Sequence, residues 1–359
     1  MLDLADVPRY LLERRLLVPR DIVQGGLRVI DASRLNSVYI VTAADRWPLV
    51  VKAGAGVARE AAVLERLHGA ADGGGLAAFL PPVLVADRIG GRLVLESAPG
   101  TRDLRRHHAH GRFSRALARE AGRALAALHA IPLAAMDGMR AGGDRGSDVR
   151  LHAPDLDAVH SMSPAAKELT RFIQGLDDLC AALDRIAASS RADAVIHGDV
   201  RWDNLLAIPD AGSRHWTKLG LIDWEHCEIG DPAVDVGAFL GEYLRAWAQS
   251  VPVADPLDPG RLLGHAGLPL ARMRPALGAF WEAYARRVRS PADDLGRMLR
   301  RAVDLAAVRL LTAALEEAQA RDELQARMLC LVPLSRNLLC RRGDECARLL
   351  GLDVVGGKA

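Results

Sequence analysis

Aromatic residues make up only 4% of this 359-residue sequence, and none of its five cysteines forms a C-x-x-C pair. An odd and scattered set of cysteines argues against a disulfide framework or a zinc site. The N-terminal segment mixes charges of both signs among its apolar residues, unlike a secretory signal, and no apolar run approaches the length that spans a bilayer. We therefore expect a cytoplasmic protein with no membrane partner.

An excess of charge of one sign is lacking as well. The formal net charge is +2, so the composition gives no reason to expect a nucleic-acid partner. Half of the residues are hydrophobic, with leucine and alanine prominent among them, which predicts more helix than strand. The chain is long enough for two lobes that each bury a core.

The first hundred residues predict a small antiparallel sheet with one helix, preceded by a short helical extension. The extension has amphipathic spacing over residues 7–17, and Pro19 is predicted to end its helix. Apolar segments bounded by turn residues predict the strands, and helical spacing at 57–68 predicts the helix. The predicted strands are 27–31, 38–43, 49–52, 83–86 and 92–96.

After residue 98 the spacing of apolar residues is mainly helical. One buried helical face is predicted at 117–128 and a single long helix at 164–188, with a loop rich in Gly, Asp and Arg at 136–148. Short strands are expected at 194–196, 205–208 and 216–222. The predicted domains are a helical extension at 1–26, a nucleotide-binding lobe at 27–97 and a helical lobe at 98–359, the last with a catalytic loop at 197–204 and a metal-binding segment at 222–225.

Polar residues crowd between two of the predicted strands, in the segment H-G-D-V-R-W-D-N at 197–204. A later apolar run ends in Asp223, and the predicted strand order brings Asp199, Asn204 and Asp223 to one end of a hairpin. Two carboxylates and an amide oxygen are hard ligands, which suit magnesium and the polyphosphate it carries. Any one of these residues alone would be read as a turn or cap, but their combination predicts a phosphotransfer centre.

These residues carry a resemblance to a known family. The H-G-D-x-x-x-x-N pattern at 197–204, the I-D-W-E segment at 222–225 and the G-D-P-x-x-D segment at 230–235 resemble the motifs of the aminoglycoside phosphotransferase and choline kinase group. The resemblance implies an α+β, bilobal protein-kinase-like fold, with a small antiparallel sheet lobe bearing one helix and a larger, mainly helical lobe. It also implies ATP, with GTP as the alternative, and Mg²⁺. His197 and Asp235 are expected to brace the catalytic loop.

The same resemblance implies roles for the central residues. Asp199 would accept the proton of the attacking hydroxyl or orient it, and Asn204 and Asp223 would hold Mg²⁺ on the nucleotide phosphates. Arg201 would neutralise the transferring group. A surface ion pair between Arg201 and Asp203 is the alternative.

The first lobe contributes a lysine and a glutamate by the same resemblance. Lys52 ends a predicted strand in a chain with few lysines, which is where kinases carry the lysine that contacts the α- and β-phosphates. Glu60 on the following helix is expected to pair with it, and Glu65 is the rival.

Further nucleotide contacts are expected at two turns. The turn at 33–37 contains no glycine, so Ser33 and Asn36 would replace a glycine-rich cover over the phosphates. The strand that ends near Glu96 and leaves through Ala98 would form a hinge whose backbone binds the adenine.

The acceptor of the phosphate is left open between a small-molecule alcohol and a peptide. Basic residues outnumber acidic ones after residue 241, which disfavours polycationic aminoglycosides, and the scarcity of aromatics disfavours a choline cage. Tyr243, Trp247, Trp281 and Tyr284 would supply such a cage or pack in the core.

Residues 197–206 and 234–247 also resemble the kinase-like proteins of lanthipeptide and thioamide peptide pathways. That resemblance implies an acceptor Ser or Thr in a precursor peptide, with a partner lyase, and Arg201 fits it. A catalytically inactive kinase-fold module that binds a nucleotide or a partner is the alternative from another class, favoured only by the glycine-poor turn.

Overall fold

The computed structural model of the protein divides into two compact units. The first comprises Met1–His107 and Asp203–Cys227, and the second comprises His108–Trp202 and Glu228–Ala359. The lobe limits drawn from the sequence stay a prediction. The structure describes residues 2–24, 26–33, 36–44, 46–70, 75–139, 149–210, 212–213, 215–251, 266–288, 290–341 and 347–352.

The first unit is built on a five-stranded antiparallel sheet in the order β1-β2-β3-β5-β4. Val51 and Ala53 on the central strand are buried in one apolar cluster with Tyr10 and Leu11 of the N-terminal segment. Because side chains alternate along a strand, Lys52 points to the opposite face, where α3 contributes Glu60. The elements are β1 (Arg28–Asp31), β2 (Ser37–Thr42), β3 (Leu49–Ala53), α3 (Ala55–Ala70), β4 (Val83–Asp87) and β5 (Arg92–Glu96), after α1 (Val7–Glu13) and α2 (Pro19–Val23).

The predicted N-terminal helix is too long by one turn. α1 ends at Glu13 because Arg15 adopts a left-handed backbone conformation, with φ of 59°, and the N–H of Leu16 bonds to the carbonyl of Leu11 at 2.9 Å. This is the geometry of a helix C-terminus. Pro19 does not end a helix but begins α2, since proline's missing N–H costs nothing in a first turn.

A second, three-stranded sheet of the first unit has the order β6-β8-β9. β8 and β9 form the predicted hairpin, with Leu205 opposite Leu221 and Leu206 opposite Gly220. The strands are β6 (Arg102–Asp103), β8 (Leu205–Pro209) and β9 (Trp216–Leu221), and α4 (Leu104–His108) follows β6.

The second unit is mainly helical, and β7 (Ala194–Ile196) pairs there with β10 (Glu228–Gly230) in a two-stranded ribbon. Two pairs of long helices pack most extensively, α5 with α10 and α9 with α11. The helices are α5 (Arg115–His129), α6 (Leu156–Ser161), α7 (Pro164–Gln174), α8 (Asp177–Ala188), α9 (Pro232–Gln249), α10 (Leu270–Val288), α11 (Ala292–Gln319), α12 (Ala326–Leu329) and α13 (Leu331–Cys340).

The prediction of a single helix at 164–188 is wrong, because the helix is interrupted at Gly175, between α7 and α8. Of the loop predicted at 136–148, residues 140–148 lie outside the described residues. The described chain contains no helix with the length and apolar character needed to cross a membrane. The observed α+β architecture, a small antiparallel sheet unit with one long helix and a larger helical unit, confirms the predicted fold class.

Candidate active site

The buried Lys52 forms a charge cluster in the first unit with two carboxylates, of which Glu60 is buried and Asp223 is partly exposed. It lies on the central strand β3, opposite Val38 on β2 and Leu93 on β5, and is 7% exposed. Its Nζ lies 2.8 Å and 2.9 Å from the two carboxylate oxygens of Glu60 and 2.9 Å from Oδ1 of Asp223. The fold thereby brings Asp223 to a lysine that lies 171 residues earlier in the sequence.

The electrostatics of this cluster keep the lysine charged. Burial opposes the charged ammonium, but the nearby carboxylates of Glu60 and Asp223 outweigh that effect, so the pKa of Lys52 is raised. Burial also raises the pKa of Glu60, against the opposing effect of Lys52. Two carboxyl groups thus face one ammonium in this cluster.

The rival glutamate of α3 is engaged elsewhere. Glu65 forms an ion pair with Arg88, and its side chain is 41% exposed, whereas Glu60 is 2% exposed. Of the two alternatives from the sequence, Glu60 is the residue that contacts Lys52.

Asn204 and Asp223 lie at the same end of the β8–β9 hairpin. Asn204 immediately precedes β8, and Ile222 alone separates Asp223 from the end of β9. The N–H of Ile222 donates to the carbonyl of Asn204 at 3.1 Å. Asp223 has φ of 71°, a left-handed conformation that aspartate tolerates better than most residues. This turn directs the carboxylate of Asp223 to Lys52.

The donor set of this hairpin end fits magnesium. A carboxylate and an amide are hard oxygen ligands, and Mg²⁺ is usually held by one or two protein carboxylates together with phosphate oxygens and water. Within the described residues, no three His, Cys, Asp or Glu side chains form a metal-binding group. A magnesium site at Asn204 and Asp223 would therefore depend on a nucleotide for most of its ligands.

The turn between β1 and β2 places Ser33 and Asn36 differently. The hydroxyl of Ser33 accepts the N–H of Val38 at 3.0 Å, so it stabilises its own turn. The side chain of Asn36 donates to Glu225 at 3.3 Å, and a Cβ on Gly54 would lie 2.5 Å from its oxygen. Of the two turn residues considered, Asn36 is thus the one whose side chain contacts the 222–225 segment.

Two prolines flank the predicted hinge. The N–H of Glu96 donates to the carbonyl of Pro82 at 3.0 Å, and that of Ser97 donates to the carbonyl of Pro48 at 2.8 Å. Proline has no N–H. Pro82 therefore donates no hydrogen bond to the carbonyl of Glu96, and Pro48 donates none to the carbonyl of Ser97. Ala98 accepts the N–H of Thr101 at 3.2 Å.

Asp199 and Arg201 lie together in the second unit, immediately beyond β7. The guanidinium of Arg201 donates to Oδ2 of Asp199 from Nε at 3.1 Å and from a terminal nitrogen at 2.8 Å. Burial opposes the charge, but Asp199 and Glu316 outweigh it and raise the pKa of Arg201. Asp203 pairs with Arg105 at 2.6 Å, so the alternative pairing of Arg201 with Asp203 is wrong.

A buried network of side chains holds the loop before Asp199. Asp235 is fully buried and accepts the backbone N–H groups of His197 at 2.7 Å and Gly198 at 2.9 Å. Burial alone would raise the pKa of Asp235, but its hydrogen bond and charge interaction with His129, aided by His197, lower it. The carboxylate therefore stays ionised and braces the loop.

Sequence reasoning missed two members of this network. Nε2 of His129 lies 3.1 Å from Oδ2 of Asp235, and its Nδ1 lies 2.9 Å from the hydroxyl of Tyr284. Neither residue belongs to a motif, since each lies on a helix whose spacing predicts only a core face.

The four aromatics considered for a choline cage, Tyr243, Trp247, Trp281 and Tyr284, are all buried in the core.

Comparison with known proteins gives one family. The model of the phosphotransferase enzyme family matches residues 26–255. Among curated proteins, the 4-hydroxytryptamine kinase of Psilocybe cyanescens is 38% identical over 50 residues, which are 14% of this chain and 14% of that protein. The chain therefore matches only a small part of that relative's length.

Solved structures resemble the whole fold at low sequence identity. A choline/ethanolamine kinase family protein from Mesorhizobium loti is 17% identical, with a TM-score of 0.51 over 97% of this chain and 98% of that one. The amicoumacin kinase hAmiN, solved in complex with AMP-PNP, Ca²⁺ and Ami, is 14% identical, with a TM-score of 0.51 over 96% of each chain. Likeness at this level of identity concerns the fold.

Proposed function

Because this chain belongs to the phosphotransferase enzyme family, we propose that it transfers the γ-phosphoryl group of ATP to the hydroxyl of a small-molecule alcohol. Family membership confirms the resemblance drawn from the motifs at 197–204, 222–225 and 230–235. The nucleotide, the metal, the acceptor and the roles of individual residues belong to the proposal.

The observation that carries the proposal is the contact of the buried Lys52 with Glu60 and Asp223. A lysine that is 7% exposed on a central strand is costly unless its charge is compensated, and here two carboxylates compensate it. Orienting an ammonium in this way suits a polyphosphate, because catalysis of phosphoryl transfer is almost entirely positioning and charge neutralisation. If this lysine served only stability, an apolar residue in its place would stabilise the fold as well or better.

In the proposed reaction Asp199 orients the acceptor hydroxyl and takes its proton. A bond forms between the hydroxyl oxygen and the γ-phosphorus, the bond from the γ-phosphorus to the β–γ bridging oxygen breaks, and ADP leaves with that electron pair. Arg201, bonded to Asp199 at 2.8 Å, would stabilise the carboxylate before the transfer and face the migrating group during it.

Asn204 and Asp223 would hold Mg²⁺, whose contribution when bound is to neutralise charge on the β- and γ-phosphates. Lys52 would contact the α- and β-phosphates, with Glu60 fixing its direction. Asn36, at the turn that reaches Glu225, would cover the phosphates through its amide group, while Ser33 keeps that turn in shape.

The hinge favours ATP over GTP. The carbonyl of Glu96 receives no hydrogen bond from Pro82, so it remains available as an acceptor, and the backbone N–H of Ala98 would be the matching donor. Adenine presents an amino group at the position where guanine presents a carbonyl oxygen. An accepting carbonyl at this point therefore suits adenine.

The acceptor panel should include a hydroxylated aromatic amine, an amino alcohol and a sugar alcohol. The first is motivated by the 50-residue similarity to the 4-hydroxytryptamine kinase. A precursor peptide with Ser or Thr, and a partner lyase, rest on the sequence alone. They form a separate arm of the test, in which the mass of a co-expressed peptide is measured by mass spectrometry for added phosphate or lost water.

The test is incubation of the purified chain with Mg²⁺, γ-labelled ATP and each acceptor. Transfer of label to one alcohol class supports the proposal, and transfer to the peptide alone moves the acceptor to the peptide class. If nucleotide binds with Mg²⁺ but no acceptor is labelled and no ATP is hydrolysed, the binding-module alternative replaces the enzyme.

A further inference from the structure

Glu242 on α9 is a buried carboxylate that lies outside the motifs at 197–204, 222–225 and 230–235. It is 1% exposed, and burial of a carboxylate is strongly unfavourable unless hydrogen bonds and an opposite charge compensate it. Its Oε2 accepts the backbone N–H of Trp202 at 3.2 Å and a guanidinium N–H of Arg245 at 3.1 Å. Its compensation thus includes an arginine of its own helix, a backbone amide of the 197–204 loop and a charge interaction with Arg201.

Glu242 and Asp235 lie on the same face of α9. They are seven residues apart, which is close to two turns of an α-helix. Asp235 accepts the N–H groups of His197 and Gly198, and Glu242 accepts that of Trp202. One helix therefore holds the backbone of the loop on both sides of Asp199.

The segment between these two anchors has little freedom. Gly198 has φ of 81°, and the N–H of Arg201 donates to the carbonyl of Asp199 at 2.9 Å. The Arg201 side chain is also bonded to the Asp199 carboxylate. Release of the Trp202 amide would let Arg201, and through it Asp199, change position.

We propose that Glu242 is a positioning residue for phosphoryl transfer, which sets the place of Asp199 by holding the backbone amide of Trp202. The catalytic part of this inference rests on the proposed function. A role in stability alone makes a different prediction, because an ion pair buried for stability can be exchanged for apolar side chains without harm to the fold or the reaction.

The first variant is the double substitution Glu242→Leu with Arg245→Met. It removes the charge and its partner together, so it should fold with unchanged or higher Tm. Misplacement by about 1 Å costs on the order of 100-fold in rate, and we expect kcat to fall by about 10- to 100-fold while the KM for ATP stays within about two-fold. Glu242→Gln, which keeps an oxygen for the Trp202 amide, should recover most of kcat.

Glu282→Ala is the matched control, since Glu282 is an exposed carboxylate on α10 paired with Arg286, and it should leave kcat unchanged. Hydrogen exchange over residues 197–204 gives a readout without turnover. It should quicken in the double variant and in Glu242→Ala, and stay as in the unaltered chain in Glu282→Ala. If the unaltered chain shows no turnover, the proposed function fails while faster exchange still supports the anchor. A folded double variant with unaltered kcat and exchange overturns the inference.

Discussion

Gly122 on α5 packs directly against the backbone of Phe280 on α10. A Cβ at Gly122 would lie 2.3 Å from the Phe280 carbonyl oxygen and 3.1 Å from the backbone nitrogen of Tyr284. This close approach also brings the hydroxyl of Tyr284 to His129, which bonds to Asp235. The packing of two helices thereby supports the carboxylate that holds the backbone at His197 and Gly198.

Gly122→Ala should therefore destabilise the protein by roughly 1–3 kcal/mol, because overpacking forces the helix backbones apart. Gly278 is the control, since it lies on α10 with nothing within 4 Å of a Cβ built there. Gly278→Ala should stabilise by up to about 1 kcal/mol through helix propensity. Urea unfolding of both variants measures the difference, and equal stabilities would contradict the close packing.

Lys52→Met should lower kcat/KM for ATP by about 100-fold or more, because it removes the ammonium proposed to contact the phosphates and leaves Glu60 buried without this partner. Lys218→Met is the matched control, since Lys218 is exposed on β9. Steady-state kinetics with varied ATP provides the measurement. Similar kinetics for the two variants would remove Lys52 from the site.

Asp199→Asn keeps the shape of the side chain and removes the base. We expect kcat to fall by about 100- to 10,000-fold, the range of a general base. Nucleotide affinity, measured by calorimetry, should change by no more than about two-fold, since the proposed role of Asp199 concerns the acceptor. Near-normal turnover would show that another group takes the proton.

Asp223→Asn should abolish the part of nucleotide affinity that depends on Mg²⁺. Asparagine tolerates the left-handed backbone of this position, so the change tests the charge of the ligand rather than the turn. Titration of ATP in the presence and absence of Mg²⁺ gives the difference. An unchanged effect of Mg²⁺ would place the metal elsewhere.

Asp304 on α11 gives a prediction about pH. Burial raises its pKa from 3.8 to about 6, against the opposing effects of Arg301 and Arg185. The folded chain thus binds a proton here more readily than the unfolded chain, so this group's destabilising effect is present above pH 6. It is relieved as the pH falls from about 6 towards 4.

Asp304→Asn should therefore raise the free energy of unfolding at pH 8 by at most about 3 kcal/mol, and the gain should shrink as the pH approaches 4. Denaturant unfolding of the unaltered chain and the variant across this range is the measurement. A gain that does not depend on pH would mean that the carboxyl has an ordinary pKa.

Local sequence patterns were enough to predict most of the elements. The apolar segment that follows a turn and ends at Lys52 predicted β3, and the helical spacing before Leu67 predicted α3, because both signals are local in the chain. The predictions failed where an end depended on a single backbone conformation. Arg15 ends α1 by adopting a left-handed conformation, and Gly175 separates two helices whose apolar spacing is continuous.

The candidate site was predictable only as far as motifs reach. Lys52, Glu60 and Asp223 were chosen from their places in motifs, and the fold brings a carboxylate oxygen of Glu60 and one of Asp223 within 2.9 Å of the Lys52 Nζ. His129 and Tyr284 were missed because a single polar residue on an apolar helix face carries no local signal. Glu242 carried a weak local signal, because it is a charged residue between Gly241 and Tyr243 on a helix with a buried apolar face.

The sequence by itself determined the type of chemistry, since carboxylates and an amide at the spacing of 199, 204 and 223 suit a metal and a polyphosphate whatever surrounds them. Only the tertiary structure decided which charges meet. Lys52 contacts Glu60 while Glu65 contacts Arg88, and Arg201 bonds to Asp199 while Asp203 bonds to Arg105. The physical reason is that ion pairing depends on distance and burial, which are set by packing between segments remote in the chain.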